Sequence, residues 1–305
     1  MKIVIAGATG LVGNVLVDLC LQKGHQVNFL TTSKHKILSN SNLKGFYWNP
    51  KKGEIDTACF DGAEVIVNLA GASIAKRWTK TYKAEILQSR TETARVLFQA
   101  LENKNHQIKQ YISASAIGVY PDSLTAYYEE DTTQISSTFL GKVVKAWETS
   151  AEAFSALGLK VAILRIGLVL ANEGGALPEM TKPVKWGFGA PFAKGNQWQS
   201  WIHIADLAAI FMYSIENQFH GIYNAVAPNP VTQKTLIKGI ARELKKPLWL
   251  PHIPAFFLKL LLGEMYLVLV ESQRVSAKKI ETSGYAFRYA TLPVALQNLL
   301  HKKSR

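Results

Sequence analysis

The 305-residue sequence predicts an α/β fold, a doubly wound parallel sheet with a smaller C-terminal substrate lobe. Short runs of β-branched residues alternate with longer helical patterns through the first half of the chain, as in parallel strands joined by helices. The run Val65-Ile66-Val67 is apolar throughout, which favours a sheet covered on both faces. From about Asn172 glycines and prolines become frequent, which predicts a long, loop-rich stretch.

The elements of the first half follow one another in regular order. Strands are predicted at Lys2–Ala6, Gln26–Thr31, Glu64–Leu69, Gln110–Ser113 and Lys160–Arg165. Helices are predicted at Val12–Gln22, Thr81–Glu102 and Gly141–Leu157. Gly24 and Gly158 lie just past two of these helices, where a left-handed backbone ends a helix.

The second half contains fewer clear patterns. A strand is predicted at Gly221–Ala225, a helix at Gln233–Leu244 and an apolar helix after Pro254. We therefore predict a sheet domain over 1–170, with a returning segment at about 200–228, and a smaller lobe built from 171–199 and 229–305. Tryptophans and polar residues in the glycine-rich stretch are expected either to cover a substrate or to anchor the lobe: Trp186, Gln197, Trp198, Trp201 and His203.

Composition excludes several classes of protein. The chain has 35 basic and 22 acidic residues, a net charge of +13, but the basic residues are scattered and carry no interleaved aromatics. This favours surface charge and a phosphate-bearing small ligand over nucleic acid. Cys20 and Cys59 lack metal-ligand spacing, which predicts no metal site and a reducing, cytoplasmic location.

No part of the sequence predicts a membrane span or a leader. Met1-Lys2 runs directly into the first predicted strand, so we expect no signal peptide. The most apolar later stretch, Ile253 to Val270, is interrupted by Lys259 and Glu264. We expect a buried amphipathic helix there and no membrane partner.

A glycine-rich turn follows the first strand with the spacing G-x-x-G-x-x-G. Gly7 permits a tight turn, Gly10 allows close approach of a pyrophosphate, and Gly13 lets the next helix pack against the strand. The helix N-terminus then offers free N–H groups to phosphates. We predict a dinucleotide site formed by Gly7, Thr9, Gly10, Leu11, Val12 and Gly13.

The end of the second strand indicates which dinucleotide binds. NAD sites place an acid there to hold the ribose 2′-hydroxyl. This chain has Thr31, Thr32, Ser33 and Lys34 instead, whose hydroxyl and ammonium groups suit a 2′-phosphate. The predicted cofactor is NADP(H).

Ordered blocks of sequence carry a family resemblance. They include GATGLVG at Gly7–Gly13, NLAG at Asn68–Gly71, SASAIGVY at Ser113–Tyr120 and GNQWQSWIHIADL at Gly195–Leu207. On these blocks the chain resembles the extended short-chain dehydrogenase/reductase superfamily, which has a Rossmann fold. Within it, the chain is similar to an epimerase-family branch that carries a C-terminal domain of unknown function and is related to nucleotide-sugar epimerases.

The resemblance implies roles for further residues. Leu69, Ala70 and Gly71 would pass beneath the cofactor ribose, and Val169 would lie beside the nicotinamide. Glu85 and Arg90 match positions that face the cofactor, although a surface ion pair explains the same two residues equally well. Having Thr32 where the branch often has a basic residue weakens the NADP(H) prediction, unless Lys34 compensates.

The expected catalytic residues are only partly present. Ser115 matches the serine that holds a substrate oxygen in this superfamily. The positions of the usual tyrosine and lysine fall on Phe139 or Leu140 and on Val143 or Val144, so both reactive groups are missing. Lys145 is the substitute lysine we select; Lys142 is a second choice, and Tyr120, Tyr127 or Tyr128 is an alternative proton donor.

Two functions remain open at this point. One is an NADP-dependent oxidoreductase or nucleotide-sugar epimerase with an atypical site, acting on a sugar- or carbonyl-bearing small molecule. The other is a non-catalytic NADP(H) sensor or regulator, for example in cell division. The resemblance is compatible with a homodimer.

Overall fold

The computed structural model describes residues 1–37 and 39–301. The last four residues of the predicted lobe, 302–305, lie outside this part of the chain. The strands in it are β1 Lys2–Ala6, β2 Gln26–Thr31, β3 Leu43–Asn49, β4 Glu54–Ile55, β5 Val65–Asn68, β6 Gln110–Ala116, β7 Tyr127–Tyr128, β8 Lys160–Ile166, β9 Leu168–Leu170, β10 Trp198–Gln199, β11 Trp201–His203, β12 Gly221–Ala225, β13 Val231–Thr232 and β14 Arg274–Val275.

The helices connect these strands and build the C-terminal region. They are α1 Leu11–Gln22, α2 Lys80–Glu102, α3 Phe139–Glu152, α4 Ala176–Lys185, α5 Ile204–Glu216, α6 Gln233–Glu243, α7 Ala255–Leu262, α8 Leu267–Val270, α9 Lys278–Thr282 and α10 Leu292–His301. Short 3₁₀ turns complete the connections. Helices α1, α2, α3, α5 and α6 start at a residue with extended backbone, and in α2, α3 and α6 a threonine hydroxyl caps the first turn.

The central sheet has the order β12-β8-β6-β5-β1-β2-β3-β4. Its strands are parallel except for the short edge strand β4. The chain runs from β1 outward through β2 and β3, and then returns to place β5 on the other side of β1. The crevice between the ends of β1 and β5 is therefore the switch point at which doubly wound sheets bind ligands.

Side chains alternate between the two faces of the sheet. Ile3 and Ile5 of β1 pack into a large apolar cluster, whereas Val4 and Ala6 pack into a second cluster on the other face. The first cluster continues into α4, α6 and α10 through Leu177, Met180, Leu236, Ile240 and Leu296. The sheet and the C-terminal helices consequently share one continuous core.

The predicted fold class is confirmed, and so are the main predicted elements of the first half. Two expectations about the second half are wrong. The glycine- and proline-rich stretch contains a helix, α4, which tolerates Pro183 within it. The helix expected to be buried after Pro254 is α7, and it exposes most of its apolar side chains. Over residues 1–37 and 39–301, no helix is both long and apolar enough to cross a bilayer.

Candidate functional site

The turn after β1 is shaped by contacts that only glycine permits. Gly7 has a φ of +81°, and a Cβ built there lies 2.7 Å from the carbonyl carbon of Leu69. A Cβ on Gly13 lies 2.2 Å from the Gly7 carbonyl oxygen, so α1 packs directly against the turn. Gly10 is more open, since its Cβ lies 3.2 Å from the same oxygen.

The N-terminus of α1 suits an anion. Gly10 precedes the helix without a side-chain cap, and the first turn holds no acidic residue. The backbone N–H groups of Leu11 and Val12 therefore have no acceptor within the helix. Thr9 and Gly10 are exposed at this point. A shallow turn with unpaired donors at the switch point fits a dinucleotide pyrophosphate.

The end of β2 lies on the same edge of the sheet. Thr31 is buried, and its hydroxyl accepts a hydrogen bond from the Ser33 backbone N–H at 3.2 Å. Thr32 and Lys34 are exposed. The ammonium group of Lys34 lies 5.1 Å from the centre of the Tyr47 ring, which positions a cation at this turn.

The loop after β5 connects the glycine turn to a half-buried arginine. The Leu69 backbone N–H donates to the Ala6 carbonyl at 2.9 Å, and the Ala70 N–H donates to Asn68 Oδ1 at 3.1 Å. A Cβ built on Gly71 lies 3.3 Å from Cζ of Arg90. The guanidinium thus lies directly above this loop.

Arg90 is a half-buried cation held by neutral groups. Its Nη1 donates to the carbonyls of Ile86 at 2.9 Å and Ala72 at 3.3 Å, and its Cζ lies 4.9 Å from the centre of the Trp147 ring. Burial lowers the pKa of Arg90 to about 10, so it stays charged at neutral pH. Among the described residues it forms no ion pair with a carboxylate.

A cavity of about 190 Å³ lies next to Arg90, beyond the ends of β6 and β8. Ala116 and Gly118 border it on one side, and Gln199 and Ser200 border it on another. Most of the remaining wall is apolar: Ile74, Leu140, Val143, Val144, Ile166 and Val268. At the α3 positions where the superfamily has its tyrosine and lysine, this chain therefore gives the cavity wall aliphatic side chains.

Glu271 is the acidic group of the described cavity wall, and Arg90 is the basic one. Glu271 follows α8 and is half-buried. Burial, helped by the nearby carboxylate of Asp122, raises the pKa of Glu271 to about 7. Trp147 also lines the cavity, and its buried Nε1–H has no hydrogen-bond acceptor in the described chain. The cavity thus combines an apolar wall, a carboxyl near neutrality and nitrogen donors.

Ser115 belongs to a buried polar network instead of the cavity wall. Its hydroxyl donates to Glu148 Oε1 at 2.6 Å, and that carboxylate accepts two further hydrogen bonds from Arg165, at 2.8 and 2.9 Å. Arg165 also donates to the Tyr120 hydroxyl at 2.9 Å, which in turn donates to Asn224 at 2.8 Å. Burial raises the pKa of Tyr120. Both hydroxyls are therefore engaged with other protein groups.

Comparison with known proteins assigns the chain to a family. The family model named NAD dependent epimerase/dehydratase family matches residues 3–225. The chain belongs to the NAD-dependent epimerase/dehydratase family. A second family model, a domain of unknown function (DUF1731), matches residues 253–299. The predicted resemblance is thereby confirmed, and the family is one that binds NAD(P).

Individual members of the epimerase/dehydratase family match over nearly their whole length. Epimerase family protein SSP1921 of Staphylococcus saprophyticus is 35% identical over 304 residues, which cover 97% of this chain and 98% of that protein. YfhF of Bacillus subtilis is 36% identical, with 98% of each chain covered. The crystal structure of human SDR39U1 with NADPH matches at a TM-score of 0.86 and 27% identity, covering 99% of this chain and 100% of that one. Thermus thermophilus UDP-glucose 4-epimerase, at 16% identity and a TM-score of 0.76, shares the fold over 99% of this chain and 98% of that one.

The remaining residues predicted from the family resemblance do not gather at one place. Lys145 is exposed on the outer side of α3, while the cavity is lined by the opposite side, so its selection as a catalytic residue has no support from its position. The exposed Glu85 carboxylate pairs with Lys51 at 3.4 Å. Val169 lies in β9, next to the cavity-lining Leu168.

The polar and aromatic residues of the glycine-rich stretch also separate. Trp198 lines the cavity, whereas Trp186 is exposed to solvent. Gln197 and Trp201 are buried and donate to backbone carbonyls, and the His203 ring accepts from the Ala205 N–H at the start of α5. Among the described residues, no cluster of three or more His, Cys, Asp or Glu side chains suits a metal ion.

Proposed function

We propose that the protein is an NADP(H)-dependent oxidoreductase or epimerase that acts on a carbonyl-bearing small molecule, such as an oxidised sugar, in the cytoplasm. The observation that carries the proposal is the position of the cavity. The glycine turn is connected to the cavity through the loop after β5. Gly7 packs against Leu69 at the start of this loop, and Gly71 in the same loop packs against Arg90. Arg90 in turn lines the cavity. A cofactor held at the turn would thus have its reactive end near the substrate space.

The charge of the adenosine side supports NADP(H) over NAD(H). The sequence has no Asp or Glu between Asp18 and Glu54, a span that includes both β2 and β3. No carboxylate from this span is thus available for the ribose 2′-hydroxyl, whereas Lys34 and Ser33 offer donors for a 2′-phosphate. The bound nicotinamide would supply or accept a hydride.

We assign proton transfer to and from the substrate oxygen to the carboxyl of Glu271. With a pKa near 7, its carboxyl is present in both the protonated and the ionised form at neutral pH, as suits a general acid–base group. Arg90 and the Trp147 N–H would stabilise negative charge on a substrate oxygen, since both line the cavity and neither pairs with a carboxylate. These three groups replace the missing tyrosine and lysine.

The cofactor assignment is tested by titrating NADPH and NADH into the wild type and two lysine variants. We expect NADPH to bind at least about tenfold more tightly, because one ion pair to the 2′-phosphate is worth about 1.4 kcal/mol or more. Lys34→Glu should abolish that preference. Lys44→Glu, at the amino end of β3, is the matched control and should keep it. Equal affinity for both cofactors in the wild type would contradict the assignment.

The reaction is tested with NADPH-loaded protein and a panel of aldehydes, ketones and quinones. Glu271→Gln should lower turnover by about 10²–10⁴-fold and leave NADPH affinity unchanged. Tight NADPH binding with no turnover of any carbonyl would favour the second candidate, a sensor or regulator. Unchanged turnover in Glu271→Gln would remove Glu271 from the mechanism.

A further inference from the structure

Helix α7 departs from the usual surface pattern, because its outer face is apolar. Phe256, Phe257, Leu260 and Leu261 point to solvent, with exposed fractions of 53–75%. Leu258, on the other side of the helix, is buried at 6% exposure. A surface helix ordinarily turns its apolar side chains inward and its polar ones outward. The outer face of α7 is therefore apolar and has no covering element in the described chain.

Four more exposed apolar side chains lie in the segments next to α7. Trp249 and Leu250 lie in the segment before the helix, and Trp186 and Phe188 follow α4; both tryptophans are 79% exposed. The two segments run side by side, because the Ile253 backbone accepts from Ala193 and donates to Pro191, each at 2.9 Å. We refer to segments 182–194 and 245–262 together as the docking face. Its exposed apolar side chains are concentrated in one region, whereas apolar residues on an ordinary protein surface occur singly and scattered.

The charged side chains of the docking face are all basic. Its two segments contain six lysines and no Asp or Glu. Lys182 pairs with Glu179, but the other five form no ion pair with any described residue: Lys185, Lys194, Lys245, Lys246 and Lys259. The nearest acids along the chain are already paired, Glu243 with His301 and Glu264 with Lys83.

Aromatic and leucine side chains flanked by lysines have the chemistry of a segment that lies in a membrane interface. Tryptophan prefers the headgroup level, phenylalanine and leucine enter the acyl boundary, and lysine contacts lipid phosphates. A second copy of this chain is a poor occupant, because two such faces would bring lysines against lysines. We infer that the docking face binds the surface of an anionic phospholipid bilayer without crossing it. This replaces the sequence-based expectation of no membrane partner.

The inference is tested by flotation of the full-length protein with vesicles of phosphatidylcholine alone or mixed with phosphatidylglycerol. We expect binding to the mixed vesicles at least about tenfold stronger than to phosphatidylcholine, and weakened by added salt, because each lysine near an anionic surface contributes about 1 kcal/mol. The intrinsic fluorescence of the chain, to which the exposed Trp186 and Trp249 both contribute, should shift to shorter wavelength on binding. Neither readout depends on the proposed enzymatic function.

Two variants and a control make the test specific. Phe257→Ser with Leu261→Ser should abolish binding, and Lys245→Glu with Lys246→Glu should remove the preference for anionic lipid. Val294→Ser, which alters an apolar residue of similar exposure on α10, should bind like the wild type. NADPH affinity and melting temperature report that each variant is folded. Absence of vesicle binding by the wild type, or dimerisation lost in the same variants, would overturn the inference.

Discussion

Glu148 illustrates how much of this site is decided by one buried side chain. Its carboxylate accepts three hydrogen bonds, from Ser115 and twice from Arg165, and it is 3% exposed. Ser115 lies at the end of β6, Glu148 lies on α3 and Arg165 lies near the end of β8. The hydrogen bonds among these three residues therefore hold α3 against the sheet. The apolar wall that α3 contributes to the cavity is positioned by this contact.

Replacing the Glu148 carboxylate and replacing its serine donor should therefore lower the stability by unequal amounts. Glu148→Gln leaves the Arg165 charge buried without a counterion, which costs about 3–5 kcal/mol in the free energy of unfolding. Ser115→Ala removes one hydrogen bond to a charged group and should cost about 1.5–3 kcal/mol. Chemical denaturation measures both, with the exposed Glu152→Gln as a control.

The same variants examine the predicted catalytic role of Ser115. A positioning role predicts that Ser115→Ala loses stability while NADPH affinity stays the same. A loss of turnover with no loss of stability would instead return Ser115 to the reacting groups.

The raised pKa of Glu271 predicts how the stability of the protein depends on pH. Its pKa is near 7 in the folded protein and near 4.5 when the chain is unfolded, so the folded state binds more protons between these values. Wild-type stability from this group is thus fully present below about pH 4.5 and declines as the pH rises through 7. Glu271→Gln should melt at a higher temperature relative to wild type at pH 8 than at pH 5. Glu102→Gln, an exposed substitution, should show no such change with pH.

Sequence reasoning missed Glu271 for an identifiable reason. The missing tyrosine directed the search to α3 and the nearby tyrosines, whereas Glu271 comes from a segment more than 100 residues later. No local motif marks it, because its raised pKa depends on burial in the folded chain and on the nearby Asp122 carboxylate. Lys145 was selected from its place in the sequence, and its position one residue along the helix places it on the exposed side of α3.

At the scale of elements, the β1–α1 unit allows two glycine substitutions to be compared. Gly10 has an ordinary φ of −83° and space for a side chain, so Gly10→Asp should fold. Its carboxylate would occupy the anion site, and we expect NADPH affinity to fall by about 100-fold or more. Gly13→Ala should instead lower the melting temperature, since its Cβ has no room. A folded Gly10→Asp with normal NADPH affinity would exclude this turn as the phosphate site.

The elements were predictable where local pattern decides them. The bounds of β1 and β2 are as predicted, α1 and α2 start one residue early, and Gly24 and Gly158 adopt positive φ at helix ends. Strand β3 was missed, since Gly45 and its half-exposed residues hide any alternation. The two-stranded pairs β9–β11, β10–β13 and β7–β14 join distant segments and have no local signature.

At the scale of the molecule, the shared core predicts cooperative unfolding. Leu16 of α1, Leu207 of α5 and Leu296 of α10 belong to one apolar cluster. Calorimetry should consequently show one endothermic transition, and a chain truncated after residue 228 should not fold, because it removes part of the core of the sheet domain. Two separate transitions would indicate that the lobe has an independent core.

The edge strand β12 has a consequence for the growing chain on the ribosome. It pairs with β8, yet its last residue is made 59 residues after the last residue of β8. At about 5–20 residues per second, translation leaves β8 as an open edge for roughly 3–12 s. During that interval the unpaired backbone of β8 is available to other chains. Synthesis of Gly221–Ala225 closes this interval, so slow codons between residues 166 and 225 should raise aggregation of the nascent protein.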